Sequence, residues 1–176
     1  VFSRLPFVVL LSLILGCSHV APRAASQPVS SDLSPPTYLT SIDARATPPV
    51  GWHADPLKRS PAHAHQVWIS PSGHTAYGII HFTLPVPVGY DLAVWGFLQN
   101  MKLREGEATL ISKKWDPNLN GLRFVAEGGL YCVRTNLFVN GLTGWAVYAG
   151  TLRKEQINSD ELLLAEQARE ATSFGH

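Results

Sequence analysis

The chain has 176 residues, 45% of them apolar and 15% charged, with 14 basic against 13 acidic side chains and a formal net charge of +1. So even a balance leaves no basic stripe for nucleic acid and no polybasic run for anionic lipid headgroups, and neither is expected as a partner. Length and apolar content suit one domain with a real core.

An apolar run from Leu5 to Leu15 opens the chain, with Arg4 as the only cation before it. At about eleven residues it suits a secretory leader and falls short of the roughly 20 needed to span a bilayer. The residues Ile14-Leu15-Gly16-Cys17 resemble the bacterial lipobox, in which the cysteine is acylated after the preceding segment is cut away. The resemblance implies a signal peptide over 1–16, Cys17 as the lipidation site, and acyl chains such as palmitate as a stable membrane anchor. Ser18, where an aspartate would retain the protein at the inner membrane, implies the outer membrane and a periplasm-facing domain. Loss of Arg4 with the leader makes the mature chain formally neutral. The start at Val1 points to an alternative start codon or a truncated gene model, and no later window is apolar enough to cross a membrane.

From Ser18 to about Thr47 the chain is rich in Ser, Pro, Ala and Thr, and Pro22, Pro28, Pro35 and Pro36 punctuate it. A segment with few large apolar residues cannot offset its ordering entropy, so 17–47 reads as a lipid-anchored disordered tether. A short ordered piece around Tyr38, Leu39 and Ile42 is the exception considered. Residues 48–176 then form the domain.

Within it, Gln66–Ile69 and Ala76–Phe82 are β-rich runs around the polar Ser70–His74 loop, which predicts a hairpin. Pairing Ile69 with Ala76 places His65 near Ile80 and His81 on the opposite face. Pro85 and Pro87 end the second strand. Asp91 is then the expected cap of a helix over Leu92–Glu105, with Val94, Trp95, Leu98, Met101 and Lys102 at helical spacing and Gly106 just past its end. A meander follows over Ala108–Lys114, Leu122–Glu127, Leu130–Val139 and Trp145–Leu152. Gly128-Gly129 marks a tight turn or bulge, and Asn140–Gly144 is a hairpin loop. Ser159 is the expected cap of a closing helix over Asp160–Thr172, whose Leu164, Ala165, Ala168 and Ala171 suit close packing on a sheet. The last two strands carry apolar residues on both faces, where a sheet wet on one side would alternate more strictly. The fold class expected is therefore α+β: a mostly antiparallel sheet with helices packed on both faces.

The Pro48-Pro49-Val50-Gly51-Trp52 opening, a hairpin, one helix, a long antiparallel meander and a closing helix ending in Ala171-Thr172-Ser173-Phe174 resemble the PsbP-like fold. That group includes the extrinsic photosystem II proteins, Mog-type Ran-binding proteins and many bacterial lipoproteins. The resemblance covers about Pro48 to Phe174 and implies a non-enzymatic accessory or binding module. None of the group's metal-binding positions transfers to this chain.

Among residues able to carry chemistry, His53, His63, His65, His74 and His81 crowd the first part of the domain. His63 and His65 stand at i, i+2 on one side of an extended segment, within reach of one metal ion. A zinc site wants three or four ligands, so His53 or Asp55 would have to join them. Trp52 and Trp115 lie beside turns and are the candidate ligand-binding aromatics, whereas Trp68, Trp95 and Trp145 read as structural. Arg123, Glu127 and Arg134 stand on neighbouring strands in position for an ion pair across the Gly128-Gly129 turn. With Cys17 lipidated, Cys132 is unpaired and reads as a small buried hydrophobe on a strand.

The chain has no Gly-x-Ser-x-Gly elbow, no phosphate loop and no His-Glu-x-x-His. No catalytic residue and no cofactor is expected. The function expected is that of a lipid-anchored bacterial envelope protein, a non-catalytic binding or accessory module with the membrane and an envelope protein as its partners. Two alternatives stay open: a small zinc-dependent hydrolase or metal-binding protein using His63 and His65, and glycan or small-ligand binding through Trp52 and Trp115.

Overall fold

The computed structural model describes residues 32–174 other than 61, 154 and 156. The leader, Cys17 and the first part of the expected tether lie outside the described residues.

The elements run β1 (Thr37–Leu39), β2 (Ala44–Ala46), β3 (His53–Ala54), β4 (Lys58–Ser60), β5 (His63–Ile69), β6 (Thr75–Thr83), α1 (Tyr90–Glu105), β7 (Ala108–Asp116), β8 (Gly121–Gly128), β9 (Tyr131–Asn140), β10 (Thr143–Leu152), α2 (Ser159–Ala171) and β11 (Ser173–Phe174). Eight strands form one sheet in the order β3-β5-β6-β10-β9-β8-β7, with β4 beside β3 on the same edge of β5. The small sheet β1-β2-β11 ties the first described strands to the end of the chain. Every pairing between these strands is antiparallel.

The hairpin forms in the expected register, with Ile69 opposite Ala76 and His65 opposite Ile80. Its loop is held from α2. The Glu161 carboxylate accepts from the Ser72 hydroxyl at 2.6 Å and the Ser72 amide at 3.2 Å. Burial works against that charge, yet these bonds keep the carboxyl below its ordinary range.

Two apolar clusters form the core. In one, Val94 and Met101 of α1 pack on Leu122, Phe124, Ala126, Val133, Leu137 and Ala146. In the other, Ala165 and Ala168 of α2 join Tyr77, Ile79, Val147 and Ala149, together with Ile42, Ala44 and Ala46. Adjacent residues of β10, Ala146 and Val147, thus belong to different clusters.

Residues 33–47, expected to belong to the tether, are packed into the domain instead. Ile42, Ala44 and Ala46 are completely buried, and the Trp145 indole donates to the Ile42 carbonyl at 2.7 Å. Composition misleads here because alanines alternating on a short strand bury fully while adding little to the apolar count.

Both helix starts differ from expectation. Gly89, without a side-chain cap, precedes α1, and Asp91 sits inside the first turn, bonded to Lys113 at 2.5 Å. Asn158, one residue before Ser159, caps α2 by accepting from the Asp160 and Glu161 amides at 3.1 and 3.3 Å. At the other end of α1, Gly106 takes the left-handed conformation at φ 83° and donates to the Lys102 carbonyl, as a terminating glycine does. On α2, Ala165 and Ala168 are buried as expected, whereas Leu164 is half-buried and Ala171 exposed.

Gly128 and Gly129 serve close approach. A Cβ on either would collide with Glu105, whose carboxylate accepts from the Leu130 and Tyr131 amides at 3.0 and 3.1 Å. The end of α1 is thereby seated on the β8–β9 turn.

Candidate functional site

The strand β5 sets His63 and His65 on one face, as the spacing required, and β4 pairs alongside so that Ser60 stands opposite His63 and Lys58 opposite His65. Each imidazole has a partner inside the domain. His63 Nδ1 lies 2.6 Å from the Ser60 hydroxyl, and His65 Nε2 lies 2.7 Å from the Tyr148 hydroxyl on β10. Tyr148 reaches across β6 only because Gly78 stands between, where a Cβ would come within 2.4 Å of the phenol ring.

Burial sets the chemistry of this pair. It lowers the His65 pKa to about 4, with the nearby positive charges of Arg104 and Lys58 acting the same way. Burial also pushes the Tyr148 phenol above its ordinary value. At neutral pH the pair is an uncharged imidazole bonded to an un-ionised phenol. That is a cross-strand clasp with neither a charged acid nor a phenolate base.

The other histidines do not join it. His53 pairs with Ile69, six residues along β5 from His63 and about 20 Å away at strand rise. His74 lies in the β5–β6 loop, and His81 points to the opposite side, its ring tilted against Trp145 at 5.1 Å. Among the described residues no three of His, Cys, Asp and Glu come together to hold a metal ion.

Trp52 and Trp115 are far from equivalent. Trp52 is half-buried against the α2 cluster. Trp115 on β7 is 45% exposed and meets Tyr90 of α1 edge-on at 5.1 Å. The structure does not bring the two into one site. Trp95, assigned to the helix core by its spacing, is instead 58% exposed. Val94 and Met101 point inward with Leu98 half-buried, and Trp95 and Lys102 fall one step round the helix into solvent.

The ion pair expected among Arg123, Glu127 and Arg134 does not form, because each side chain has a partner elsewhere. Arg123 donates to Asp116 at 2.7 Å and forks onto Glu170 of α2; Arg134 pairs with Glu166 of α2; Glu127 faces Arg153 at 3.6 Å. The hydrogen bond to Glu170 holds the Arg123 guanidinium more firmly charged than usual. Strand neighbours look for opposite charges on whatever packs above them, and here that is a helix distant in sequence.

Beside these pairs lies a cleft of about 200 Å³ lined by Cys132, Glu127, Arg134, Thr151, Arg153 and Leu162 among others. Burial raises the Cys132 thiol pKa, with the Glu127 charge adding to it, so the sulfur stays a thiol and a poor nucleophile.

Sequence reasoning missed Tyr148, Gly78 and the outward row of α1. The last had a legible signal, since Leu92, Trp95 and Leu103 make the helix apolar on the side away from Val94 and Met101.

With this geometry in hand, the comparison with solved structures is specific. The solution structure of cyanobacterial PsbP (CyanoP) from Synechocystis sp. PCC 6803 superposes with a TM-score of 0.59 over 88% of this chain and 99% of that one, at 13% sequence identity. The chain therefore has the PsbP-like fold, a mostly antiparallel sheet with two helices. A Bacteroides thetaiotaomicron protein of known crystal structure aligns over 81% of this chain and 49% of its own, at 10% identity and a TM-score of 0.42, and contributes nothing to the argument. No protein-family model matches the chain, and no curated protein sequence does.

Proposed function

We propose that this chain is a non-catalytic accessory or binding module of the bacterial envelope, anchored to the outer membrane through lipid on Cys17 and working on a protein partner there. In this reading it is not an enzyme, uses no cofactor and binds no nucleic acid. Its two helices cover opposite faces of the sheet; the alternation of Ala146 and Val147 between the α1 and α2 clusters supports that layering.

One observation carries the reading: the groups with chemical potential are bonded into the architecture. The His65 imidazole and Tyr148 phenol hold β5 to β10, and Arg123 with Glu170 and Arg134 with Glu166 hold α2 to the meander. Such bonds yield a rigid scaffold with a defined surface. The PsbP-like fold is consistent with it.

Two measurements test the proposal. Radiolabelled fatty acid is expected to enter the wild type and not Cys17→Ser; equal labelling of both overturns the anchor. Metal analysis of the purified protein is expected to find no bound zinc. Stoichiometric zinc lost in His63→Ala plus His65→Ala, with a hydrolytic activity lost alongside it, overturns the non-catalytic assignment.

A further inference from the structure

Helix α1 carries apolar side chains on the side it turns away from the core. At 3.6 residues per turn, Leu92, Trp95 and Leu103 fall within a sector of about 80° opposite Val94 and Met101. Their exposures are 53, 58 and 87%. The helix also carries Asp91, Gln99, Asn100, Lys102 and Arg104, and it rests on β7–β9 by one side only.

The row does not stand alone. Trp115 of the edge strand β7 contacts Tyr90 at the start of α1, and Lys113 of β7 pairs with Asp91 of α1, so the β7 side chains on that face continue the same surface. Ile111 and Leu110 of β7 are exposed as well.

Charge decides the occupant. Lys102 and Arg104 stand on either side of Leu103, and Lys113 of β7 lies on the α1 face of the sheet beside Trp115, opposite Phe124. The nearby acids are each engaged within the domain: Asp91 by Lys113, Glu105 by the Leu130 and Tyr131 amides, Glu107 by Arg153. Among the described residues, no side-chain hydrogen bond or ion pair holds Lys102 or Arg104. The sequence has no polybasic run, yet the fold sets Lys102 and Arg104 on the two flanks of one apolar row. Leucine and indole side chains flanked by unpaired cations suit the boundary of an anionic bilayer, where apolar groups enter and long basic side chains reach phosphates.

We infer that the outward row of α1, with Trp115 and the α1 face of β7, docks on an anionic phospholipid bilayer. Leu92, Trp95 and Leu103 enter the boundary between headgroups and acyl chains, and Lys102 and Arg104 meet lipid phosphates. The acyl group on Cys17 would fix distance from the membrane, and this surface fixes orientation; the inference does not need the acyl group.

The test uses the full chain reconstituted into vesicles of phosphatidylcholine and phosphatidylglycerol with brominated acyl chains, which quench tryptophans they touch. The wild type is expected to be quenched relative to unbrominated vesicles. Most of that quenching is expected to disappear in Trp95→Phe plus Trp115→Phe, and to fall strongly in Lys102→Glu plus Arg104→Glu. Leu103→Ser, at the most exposed position of the row, is expected to reduce quenching with an unchanged thermal melt, which separates lost docking from lost folding. Quenching that is absent in the wild type or untouched in the tryptophan variant overturns the inference. So does a lipid-free dimer in sedimentation that Leu103→Ser dissociates, because a second copy would then cover the row. A row shielded from the bilayer by a cross-linked protein partner overturns it as well. Because the chain is reconstituted directly, failure here leaves the fatty-acid labelling of Cys17 unaffected.

Discussion

The two apolar clusters share one sheet and are finished differently. Around α2 the small residues Ala165 and Ala168 lie flat on Tyr77, Ile79, Val147 and Ala149, and the β1-β2-β11 sheet adds Ile42, Ala44 and Ala46 as a further buried layer. Phe174 closes that side against Phe138 and Trp145, at ring separations of 4.7 and 5.0 Å. Around α1, Val94 and Met101 are equally well buried, but nothing among the described residues lies over Leu92, Trp95 and Leu103. The difference separates two uses of apolar surface. The α2 side is closed by the chain itself and carries stability. The α1 side leaves an apolar row whose burial requires something other than this domain.

Substitutions can break that contrast. The largest expected effect is Ile42→Ala, which removes a fully buried side chain from the layer over α2's cluster and should cost about 2–5 kcal/mol in urea denaturation. A cost near zero would return residues 33–47 to the tether. Next is Gly78→Ala, whose methyl group meets the immobile Tyr148 ring; about 1–3 kcal/mol is expected from overpacking. The same variant should raise the His65 pKa in an NMR titration, because the imidazole loses its enclosure.

The acid response of the clasp is smaller. The folded His65 titrates near 4, below its ordinary 6.5, so between those values the unfolded chain binds a proton that the folded chain does not. Stability must therefore fall as pH drops from 6.5 towards 4, by about 1–2 kcal/mol from this residue after allowing for solvent screening. Urea melts across that window should show a shallower fall in His65→Gln than in the wild type. His81, lowered by burial in the same direction, contributes to the slope that remains. The smallest effect is at Leu103. Leu103→Ser should change stability by less than about 0.5 kcal/mol, since the side chain has left almost no water behind on folding. A loss of several kcal/mol there would mean that the row is part of this domain's own core.

Much of the fold was legible because its signals are local. The β5–β6 register follows from two alternating runs and the length of the loop between them. In the β9–β10 hairpin Asn140 pairs with Thr143, and Gly141 takes φ 60°, a conformation a two-residue turn demands and glycine accepts. Gly144 looked like another turn glycine, yet its role is contact: a Cβ there would strike the Phe82 ring at 2.4 Å. Caps were misplaced by a residue or two because Asn158 and Ser159 are both good capping types, and only the path of the entering chain chooses between them.

The candidate site was less legible. His63 and His65 do share a face, as a period of two requires, but their partners Ser60 and Tyr148 come from β4 and β10. Likewise, the carboxylates that meet Arg123 and Arg134 sit on α2, 47 and 32 residues away. Trp95 and Val94 are chain neighbours with opposite fates, which spacing alone did not resolve because both are apolar and helical periodicity does not by itself choose which of them faces the sheet.

The amino-acid sequence by itself determined the order of elements, the antiparallel character of the sheet and the small-residue face of α2, since periodicity and turn chemistry act over a few residues. Only the tertiary structure decided that residues 33–47 belong to the domain, that His65 is clasped by Tyr148, and which side of α1 faces out. Each of those outcomes depends on contacts between segments far apart in the chain, and burial, which sets both charge state and exposure, exists only once they have met.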